Sequence, residues 1–388
     1  MNGKIGKVLI LTHDFIHPLQ GGGGLRTLYV ALEFQRRGFS PVIIAPCEGI
    51  KKINGIKVVS VSPPRKQRSQ ILSCVKFNVR LFFKIFPFLN GVGIIFTHNT
   101  ISAILLPFLK KIFGFKFLLD ITDIHAEYLL VGKRNVLEKL LTPFLLRYEY
   151  FVISSADFVT VATKSMRNLL LKKGLPESKI DVVYDGVDLE NICSGKLPTA
   201  DKGIIHLGAI DKQHGVEDIV RCIPLVINQI PDAKFYFVGG GRELKAIKKI
   251  TKTLDINGNC IFTGILPQDK ARKYLQKACI GIISRRKNLP NDIVTTLKIY
   301  EYWASGTAVV TTPLRGIREI AQDGCDIMVY NSGDIYDLSE KIIQLLKDSD
   351  ARNGLISNGL KSVKKFNIFD TAYRIVEASL KFLSNEKF

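Results

Sequence analysis

Apolar residues recur along the first half of the chain in short β-branched runs, at 8–11, 41–45, 58–61, 94–97 and 117–120. Helical spacing of apolar residues follows several of these runs, most clearly over 25–37 and 136–154. Strands that alternate with helices predict parallel strands joined by crossover helices. The first 188 residues are therefore predicted to form one doubly wound α/β domain.

The alternation lapses over residues 189–202, which are polar and rich in turn formers. It then restarts with "GIIHLGAI" and continues to about residue 370. This pattern predicts a linker over 189–202 and a second α/β domain over 203–370. A last helix over 371–388 is predicted, for which packing back on the first domain is one possible position. In such sheets, ligands bind at the carboxyl ends of the strands.

Two stretches carry candidate chemistry. "GGGGLRT", residues 21–27, follows the first strand as a glycine-rich turn that opens a helix, where backbone N–H groups can bind an anion. In "DIVTTLKIYEYWASGTAVVTT", residues 292–312, a helix that begins near Thr295 would offer the N–H groups of Thr295, Thr296 and Leu297 to a phosphate. Glu301, a turn further on, could accept two hydroxyl hydrogen bonds from a ribose diol. The alternative is a surface carboxylate paired with Lys298 or Arg318.

Composition describes a globular protein: 388 residues, of which 46% are apolar. The seven cysteines show no Cys-x-x-Cys pair and no zinc spacing, which predicts reduced thiols in a cytosolic compartment and no metal site. The first apolar run is too short for a signal peptide, and no window holds the roughly 18 apolar residues of a spanning helix.

The formal net charge is +20, and no acid lies between Glu48 and Asp120. A surface of one sign attracts anions such as a nucleotide or anionic lipid; general lysine enrichment is the alternative. Within residues 65–89 a basic stripe adjoins a wide apolar helical face, which predicts a helix lying on an anionic membrane. No helix combines base-reading polar residues with a basic stripe, so nucleic acid is not an expected partner. The apolar face comprises Ile71, Leu72, Val75, Val79, Phe82, Phe83 and Phe86, and the stripe Lys76, Arg80 and Lys84.

Five segments in register resemble the family 4 glycosyltransferases of the GT-B fold. They are "GGGGLRTLYVALEFQRRGFSPVII", "SSADFVTVATKSMRNLLLKKGLPESKIDVVYDGVD", "FYFVGGGRE", "IFTGILPQDKARKYLQKACIGIISR" and "KIYEYWASGTAVVTTPLRGIREIAQDG". The resemblance implies two Rossmann-like domains facing each other across a cleft. It also implies retaining transfer of a sugar from a nucleotide diphosphate sugar to a glycan or lipid-linked acceptor, without a metal or other cofactor.

The resemblance assigns the donor to the second domain and the acceptor to the first. Glu301 matches the acid that holds the ribose. The expected donor contacts are Glu301, Lys298, Thr296, Leu297, Gly208, Lys212, His214, Ile265, Arg285 and, from the first domain, Gly23 and Gly24. Family members often act on lipid-linked acceptors at the cytosolic leaflet, which implies a cytoplasmic protein bound peripherally to the inner face of the membrane.

Two departures from the family pattern concern the donor. The first acid of the family's paired-Glu motif would fall at Ile293, and Asp292 is a possible substitute. The Arg and Lys that neutralise the diphosphate are replaced by Ala209 and His214. His214 could be neutral or cationic at pH 7, and Lys212, Arg285, Arg286 and Lys298 are other candidates for stabilising a departing diphosphate.

The stretch "LLDITDIHAEY", residues 118–128, lies where family members place a residue facing the donor sugar. With front-face attack, in which the diphosphate helps to deprotonate the acceptor, His125 or Asp123 would orient the sugar or acceptor. His13 and His98, each at a strand end, are second-rank candidates, and helix-capping acids in a solvated loop are the alternative.

Three other functions stay open on the sequence. A nucleotide-sugar 2-epimerase shares the two-domain architecture. A dinucleotide-dependent oxidoreductase would need an acid at the end of the second strand, where only Glu48 follows a proline. A non-catalytic basic protein that binds nucleotide or lipid would keep the charge without needing Glu301.

Overall fold

The computed structural model describes residues 6–19, 21–62, 70–130, 136–192 and 202–385. The chain divides into two compact units: unit 1 comprises residues 1–185 and 368–388, and unit 2 comprises residues 186–367. Most of the predicted linker, residues 193–201, lies outside the described part. In the described part, no helix is both long enough and apolar enough to span a bilayer.

Unit 1 is built on an eight-stranded sheet with the order β3-β4-β2-β1-β5-β6-β7-β8. All its neighbours pair in parallel except β3, which pairs antiparallel with β4. Apolar residues of the central strands are buried against the helices, as near-continuous hydrophobic strands of a parallel sheet require. The strands are β1 (Lys7–Leu11), β2 (Ser40–Ala45), β3 (Lys52–Ile53), β4 (Ile56–Ser60), β5 (Ile94–His98), β6 (Lys116–Ile121), β7 (Phe158–Val161) and β8 (Ile180–Val182).

The helices of unit 1 follow its strands in the predicted alternation. They are α1 (Gly21–Arg36), α2 (Gln70–Ile85), α3 (Leu106–Phe113), α4 (His125–Tyr128), α5 (Val136–Ser155) and α6 (Lys164–Lys172). One detail of the prediction is wrong: the glycine run is not a turn before the helix, because α1 begins at Gly21 and contains it.

Unit 2 has a six-stranded parallel sheet with the order β11-β10-β9-β12-β13-β14. Its strands are β9 (Gly203–Leu207), β10 (Lys234–Val238), β11 (Cys260–Gly264), β12 (Ile280–Ile283), β13 (Ala308–Thr311) and β14 (Met328–Val329). Its helices are α7 (Leu189–Ile192), α8 (Val216–Ile227), α9 (Leu244–Thr253), α10 (Gln268–Leu275), α11 (Leu289–Asp292), α12 (Leu297–Ala304), α13 (Arg315–Arg318), α14 (Ile335–Lys347) and α15 (Ser349–Ser362). The alternation again matches the prediction, while the short β14, α11 and α13 had no clear sequence signal.

The last helix, α16 (Ile368–Asn385), belongs to unit 1 and packs against α1. Phe369 meets the ring of Tyr29 edge-to-face at 4.8 Å, and Phe382 stacks on Phe158 with ring centroids 5.0 Å apart. Arg37, the residue after α1, forms an ion pair with Glu377 of α16, with 2.5 Å between Nη1 and Oε2. The final element of the chain therefore completes the core of unit 1.

Candidate active site

The carboxyl ends of β9 and β12 lie side by side in unit 2, because the two strands are parallel neighbours in the sheet. Gly208 follows β9 with a φ of +105° and donates its N–H to the carbonyl of Val238 at 2.7 Å. A Cβ atom on Gly208 would lie 3.0 Å from Cε of Lys298 and 3.6 Å from its Nζ. The backbone angle therefore favours glycine at this position, and a larger residue would press on the lysine side chain.

Lys298 is buried in the first turn of α12, with 9% of its surface exposed. Burial first, and then the nearby Arg285, lower the pKa of its ammonium group to about 7, against the opposing effect of Glu301. Within the described residues, no carboxylate oxygen lies within 4.0 Å of Nζ. A buried cation without a paired anion is unfavourable, so this position suits an anionic ligand.

Arg285 follows β12 and contributes a second cation to the same place. Its Nε and Nη1 are buried and have no hydrogen-bond partner in the described part of the chain. Two other sequence candidates are placed differently. Arg286 binds Asp218, with Nη2 at 2.8 Å from Oδ1, and Lys212 is exposed on a short 3-10 turn. Among the predicted cations in the described part of the chain, Arg285 and Lys298 are thus the two that stay available to a bound anion.

Two buried histidines adjoin these cations. The pKa of His214 is far below its usual range because of burial first, and then because of Lys298 and Arg285. Burial also lowers the pKa of His206 on β9 well below its usual range. His206 was not predicted from the sequence, because its position within a β-branched run is that of an ordinary strand residue. Both rings are neutral at pH 7, so of the two states considered for His214 the structure favours the neutral one. Each ring has a buried Nδ1 without a hydrogen-bond partner among the described residues.

Glu301 lies one turn beyond Lys298 on α12 and is partly buried. Burial raises the pKa of its carboxyl group to about 7, against the opposing effects of Arg272 and Lys298. The described residues place no cationic nitrogen within 4.0 Å of the carboxylate. The alternative of a surface carboxylate paired with Lys298 or Arg318 is therefore not what the structure contains.

Helix α12 begins two residues later than the predicted start near Thr295, with Thr296 as its N-cap and Leu297 as its first residue. Thr295 and Thr296 are both buried, and the Thr295 hydroxyl has no partner within the described part. Ile265 follows β11 and is 64% exposed, and a Cβ on Gly240 would lie 2.9 Å from its Cγ1. The first N–H groups of a helix have no partners within the helix, so α12 adds donors beside Lys298.

Positions 292 and 293, which were the candidates for the family's first acid, hold no free carboxylate. Ile293 is buried, with 1% of its surface exposed. The carboxylate of Asp292 is bound to Arg315, with 2.6 Å between Nε and Oδ2 and 2.9 Å between the backbone nitrogen and Oδ1. The suggestion that Asp292 substitutes for the missing acid is therefore not supported.

The predicted residues of unit 1 gather at the carboxyl ends of β1, β5 and β6. Asp123 accepts a hydrogen bond from the Tyr128 hydroxyl at 2.8 Å. The backbone N–H of His125 binds Glu149, and the ring meets His13 edge-to-face with centroids 5.4 Å apart. Burial lowers the pKa of His125, and His13 adds to this, so its ring is neutral at pH 7.

Gly23 and Gly24 lie in the first turn of α1 and are covered by the loop that precedes it. A Cβ on Gly23 would lie 2.1 Å from Oδ2 of Asp14, and one on Gly24 would lie 2.2 Å from the carbonyl oxygen of Phe15. The two glycines are therefore required by packing within unit 1. The donor contact expected of Gly23 and Gly24 stays a prediction.

A buried ion pair that the sequence interpretation missed lies beneath these residues. Arg26 of α1 donates two hydrogen bonds to Asp120 of β6, from Nε at 2.7 Å and from Nη2 at 2.8 Å. Its Nη1 binds Asp185 at 2.8 Å, and His98 Nδ1 lies 3.0 Å from Asp120 Oδ2. Arg26 and Asp120 are 94 positions apart, so no local pattern could have paired them.

Comparison with known proteins gives one family for each half of the chain. The model of Glycosyltransferase Family 4 matches residues 20–191, and the model of Glycosyl transferases group 1 matches residues 201–348. N-acetyl-alpha-D-glucosaminyl L-malate synthase of Bacillus anthracis is 26% identical over 223 residues, which cover 55% of this chain. The chain spans about 56% of the length of that relative.

Solved structures match over nearly the whole chain. Sucrose-phosphate synthase from Thermosynechococcus elongatus has a TM-score of 0.79 at 16% identity, with 98% of this chain and 100% of the other covered. HepE of Anabaena, solved in complex with UDP-glucose, has a TM-score of 0.76 at 14% identity, with 97% and 99% covered. At these identities the likeness concerns the fold. It confirms the prediction of GT-B architecture with two Rossmann-like domains.

Proposed function

The chain carries a family 4 glycosyltransferase domain followed by a group 1 glycosyltransferase domain, and on that premise we propose that it transfers a sugar from a nucleotide diphosphate sugar to an acceptor hydroxyl. The observation that carries the proposal is the pair of cations in unit 2, Lys298 and Arg285, which have no carboxylate within 4.0 Å in the described residues. A diphosphate supplies the missing negative charge and enough oxygens for both.

The donor contacts follow from the positions of these groups. The diphosphate would lie against the Gly208 backbone, where a side chain would meet Lys298, and near the N–H groups at the start of α12. Glu301 would accept hydrogen bonds from the ribose diol once it is ionised. The neutral rings of His206 and His214 can donate a hydrogen bond to a phosphate oxygen without adding charge. Lys212 and Ile265 are the outer contacts in this proposal, and Ile265 lies near the base.

The chemical step breaks the bond between the anomeric carbon and the β-phosphate oxygen and forms a bond from that carbon to the acceptor oxygen. Negative charge grows on the departing oxygen, and buried cations stabilise it more strongly than water would. We propose retention of configuration by front-face attack, in which a phosphate oxygen takes the acceptor proton. No metal ion is needed in this scheme, because Lys298 and Arg285 carry the compensating charge.

We also propose that unit 1 binds an anionic membrane at the cytosolic leaflet and takes a lipid-linked or glycan acceptor there. On α2, the apolar Leu72, Val75, Val79 and Phe83 point outward together with Lys76, Arg80 and Lys84, while Phe77, Leu81 and Ile85 face the core. Phe82 is half-buried, and residues 65–69 and the side chain of Ile71 lie outside the described part. Exposed apolar side chains beside cations suit a surface of anionic lipid.

The exposed apolar surface extends beyond the predicted helix, which strengthens this proposal. Ile112 on α3 is 72% exposed and Phe144 on α5 is 67% exposed. The ring of Phe108 on α3 lies 6.2 Å from that of Phe151 on α5, and Phe86 lies 6.4 Å from Phe113. We call this surface the apolar–basic face. It comprises the exposed apolar residues Leu72, Val75, Val79, Phe83, Phe108, Ile112, Phe144 and Phe151, together with Lys76, Arg80 and Lys84.

The test is an NMR assay in which the protein is incubated with a panel of nucleotide sugars that includes UDP-glucose. We expect release of nucleoside diphosphate from at least one donor, with the α-anomer as the first sugar product if the donor is α-linked. Formation of an epimerised nucleotide sugar without an acceptor would instead indicate the 2-epimerase alternative, to which the matched family models lend no support. No donor turnover and no binding of any donor would contradict the proposal.

A further inference from the structure

One carboxylate in unit 1, that of Asp14, is surrounded by three histidines from different elements. His98 Nε2, at the end of β5, lies 3.9 Å from Asp14 Oδ2, and His13 Nε2 lies 3.9 Å from Asp14 Oδ1. His125, at the start of α4, meets the His13 ring edge-to-face with centroids 5.4 Å apart. The carboxyl ends of β1, β5 and β6 thus place one acid and three imidazoles together at the edge of the sheet where ligands bind.

The histidine behind Asp14 is held by the buried ion pair. Nδ1 of His98 lies 3.0 Å from Asp120, whose other contacts are Arg26 and the hydroxyl of Thr160 at 2.6 Å. His98 and Asp120 are buried, with 1% and 0% of their surfaces exposed. Burial alone would lower the pKa of His98, but the bond to Asp120 outweighs it and the pKa is raised. On the other side of the ring, Nε2 lies 3.2 Å from Nδ2 of Asn99, 3.4 Å from the hydroxyl of Thr122 and 3.9 Å from Asp14 Oδ2.

Asp14 itself is accessible. Its side chain is 26% exposed, and in the described residues its one hydrogen-bond donor is the hydroxyl of Thr12, at 3.1 Å. Burial raises its pKa, but His13 and His98 more than compensate, so the pKa is lowered and the group is ionised at neutral pH. An ionised, partly exposed carboxylate with unused acceptor capacity can bind a hydroxyl group of a ligand.

Two further atoms point to a ligand at the same place. Nδ1 of His13 and Nδ1 of His125 are buried and have no hydrogen-bond partner within the described part of the chain. Buried polar atoms are normally paired. The Arg26–Asp120 pair is complete without Asp14, so the maintenance of the core does not explain why an acid and two such imidazoles meet here.

We propose that Asp14 binds the attacking hydroxyl group of the acceptor, with His13 and His125 binding a neighbouring hydroxyl. This inference rests on the proposed glycosyl transfer and deepens it by naming the acceptor contact. Because Asp14 has a lowered pKa, it orients the O–H group without taking its proton, which leaves for a phosphate oxygen. His98, Asp120 and Arg26 are positioning residues that fix Asp14. The class of ligand is a polyhydroxylated acceptor such as a sugar.

The structure offers two ways to test Asp14, and the circular dichroism spectrum of each variant shows whether unit 1 stays folded. Asp14→Asn keeps the shape and removes the charge. Gly23→Ala keeps the charge but brings a Cβ within 2.1 Å of Oδ2, so it displaces the carboxylate. Asp181→Asn, at an exposed position on β8, is the matched control.

The readouts are donor hydrolysis by water for the panel of nucleotide sugars, and UDP affinity by calorimetry. Water takes the place of the acceptor hydroxyl, so hydrolysis needs no knowledge of the natural acceptor. We expect both variants to hydrolyse the donor about 10- to 100-fold more slowly, as the loss of one charged hydrogen bond predicts. UDP affinity should stay unchanged in Asp14→Asn, and Asp181→Asn should match the wild type in both assays.

Hydrolysis by Asp14→Asn within twofold of the wild-type rate, with UDP affinity intact, would overturn the assignment of Asp14. A fall in UDP affinity of the variant that matches the fall in rate would also overturn it, because the effect would then concern the donor. A wild-type protein that binds neither UDP nor any donor would contradict the proposed function instead, so the two failures can be told apart.

Discussion

Asp292 binds Arg315 through both of its carboxylate oxygens, one on the guanidinium at 2.6 Å and one on the backbone N–H at 2.9 Å. Both carboxylate oxygens of Asp292 are therefore already bound to Arg315. Ile293, at the position of the family's first glutamate, is buried in the core. We therefore expect neither position to bind a hydroxyl group of the donor sugar, and we expect other groups to recognise that sugar.

Restoring the family's glutamate at position 293 should therefore harm the protein. We expect Ile293→Glu to reduce the free energy of unfolding by about 2–4 kcal/mol, because it buries a carboxyl group without a partner. Ile293→Leu is the control and should cost less than about 1.5 kcal/mol. Urea unfolding followed by circular dichroism measures both. A stable Ile293→Glu variant with tighter donor binding would show that position 293 faces the donor.

Gly208 should be needed for nucleotide binding and not only for its backbone angle. Gly208→Ala would bring a methyl group within 3.0 Å of the Lys298 side chain, and we expect at least about tenfold weaker UDP binding. Gly333→Ala is the matched control, since Gly333 also has a positive φ, +86°, but nothing lies within 4 Å of the added atom. Calorimetric titration with UDP distinguishes them. Equal loss of affinity in both variants would mean that backbone strain alone is responsible.

The pKa shifts of Lys298 and Glu301 predict a particular dependence of stability on pH. Glu301 has a pKa of about 7 in place of 4.5, so the folded state holds more protons between these values and stability falls as the pH rises through them. Lys298 has a pKa of about 7 in place of 10.5, so the folded state holds fewer protons there and stability rises again above pH 7. Together the two residues contribute a minimum of stability near pH 7.

Removal of both groups should remove that minimum. We expect the double variant Lys298→Met, Glu301→Gln to be more stable than the wild type at pH 7, by about 1–3 kcal/mol. The difference in stability should shrink toward pH values of about 5 and 9.5. Near pH 5 Glu301 is largely protonated in both the folded and the unfolded state, and near pH 9.5 Lys298 is neutral in the folded state and partly neutral in the unfolded state. Denaturant unfolding at the three pH values measures it. A difference that is independent of pH would contradict the assigned pKa shifts.

The apolar–basic face should carry membrane binding. We expect the wild type to sediment with vesicles that contain anionic lipid and to be released by salt, since the cations on α2 act through screened electrostatics. Phe83→Glu and Phe144→Glu should each weaken the binding about tenfold or more. Tyr336→Glu, at a residue of unit 2 that is 66% exposed, is the control. If both Phe83→Glu and Phe144→Glu still bind the vesicles as the wild type does, the apolar–basic face does not bind the membrane. Donor binding should be the same in both variants and in the wild type.

Local patterns predicted much of the architecture. The runs at 94–97 and 308–312 are strands because β-branched residues in a continuous apolar run suit the interior of a parallel sheet. The start of α1 was misplaced because glycine is a poor helix former. Glycine is needed at positions 23 and 24 because Asp14 and the Phe15 carbonyl leave no space for a side chain, a tertiary constraint that the local sequence does not contain.

The site shows the same division. Glu301, Lys298 and Gly208 could be named from the sequence because its motifs resemble those of the family. The neutral state of His214 could not, because it follows from burial beside Lys298 and Arg285, which lie far away in the sequence. Asp14 gave no signal of its own, because its three histidine neighbours come from separate strand ends that only the sheet brings together.

The most direct test of the central claim, that Lys298 and Arg285 bind the diphosphate of a donor, is calorimetric titration of the intact protein with UDP and with the other nucleoside diphosphates. We predict that at least one of them binds the wild type, and that Lys298→Met weakens this binding about tenfold or more. Lys361→Met on α15 should leave it unchanged. If no nucleoside diphosphate binds the wild type, or if Lys298→Met binds as tightly as the wild type does, the account of the donor site is wrong.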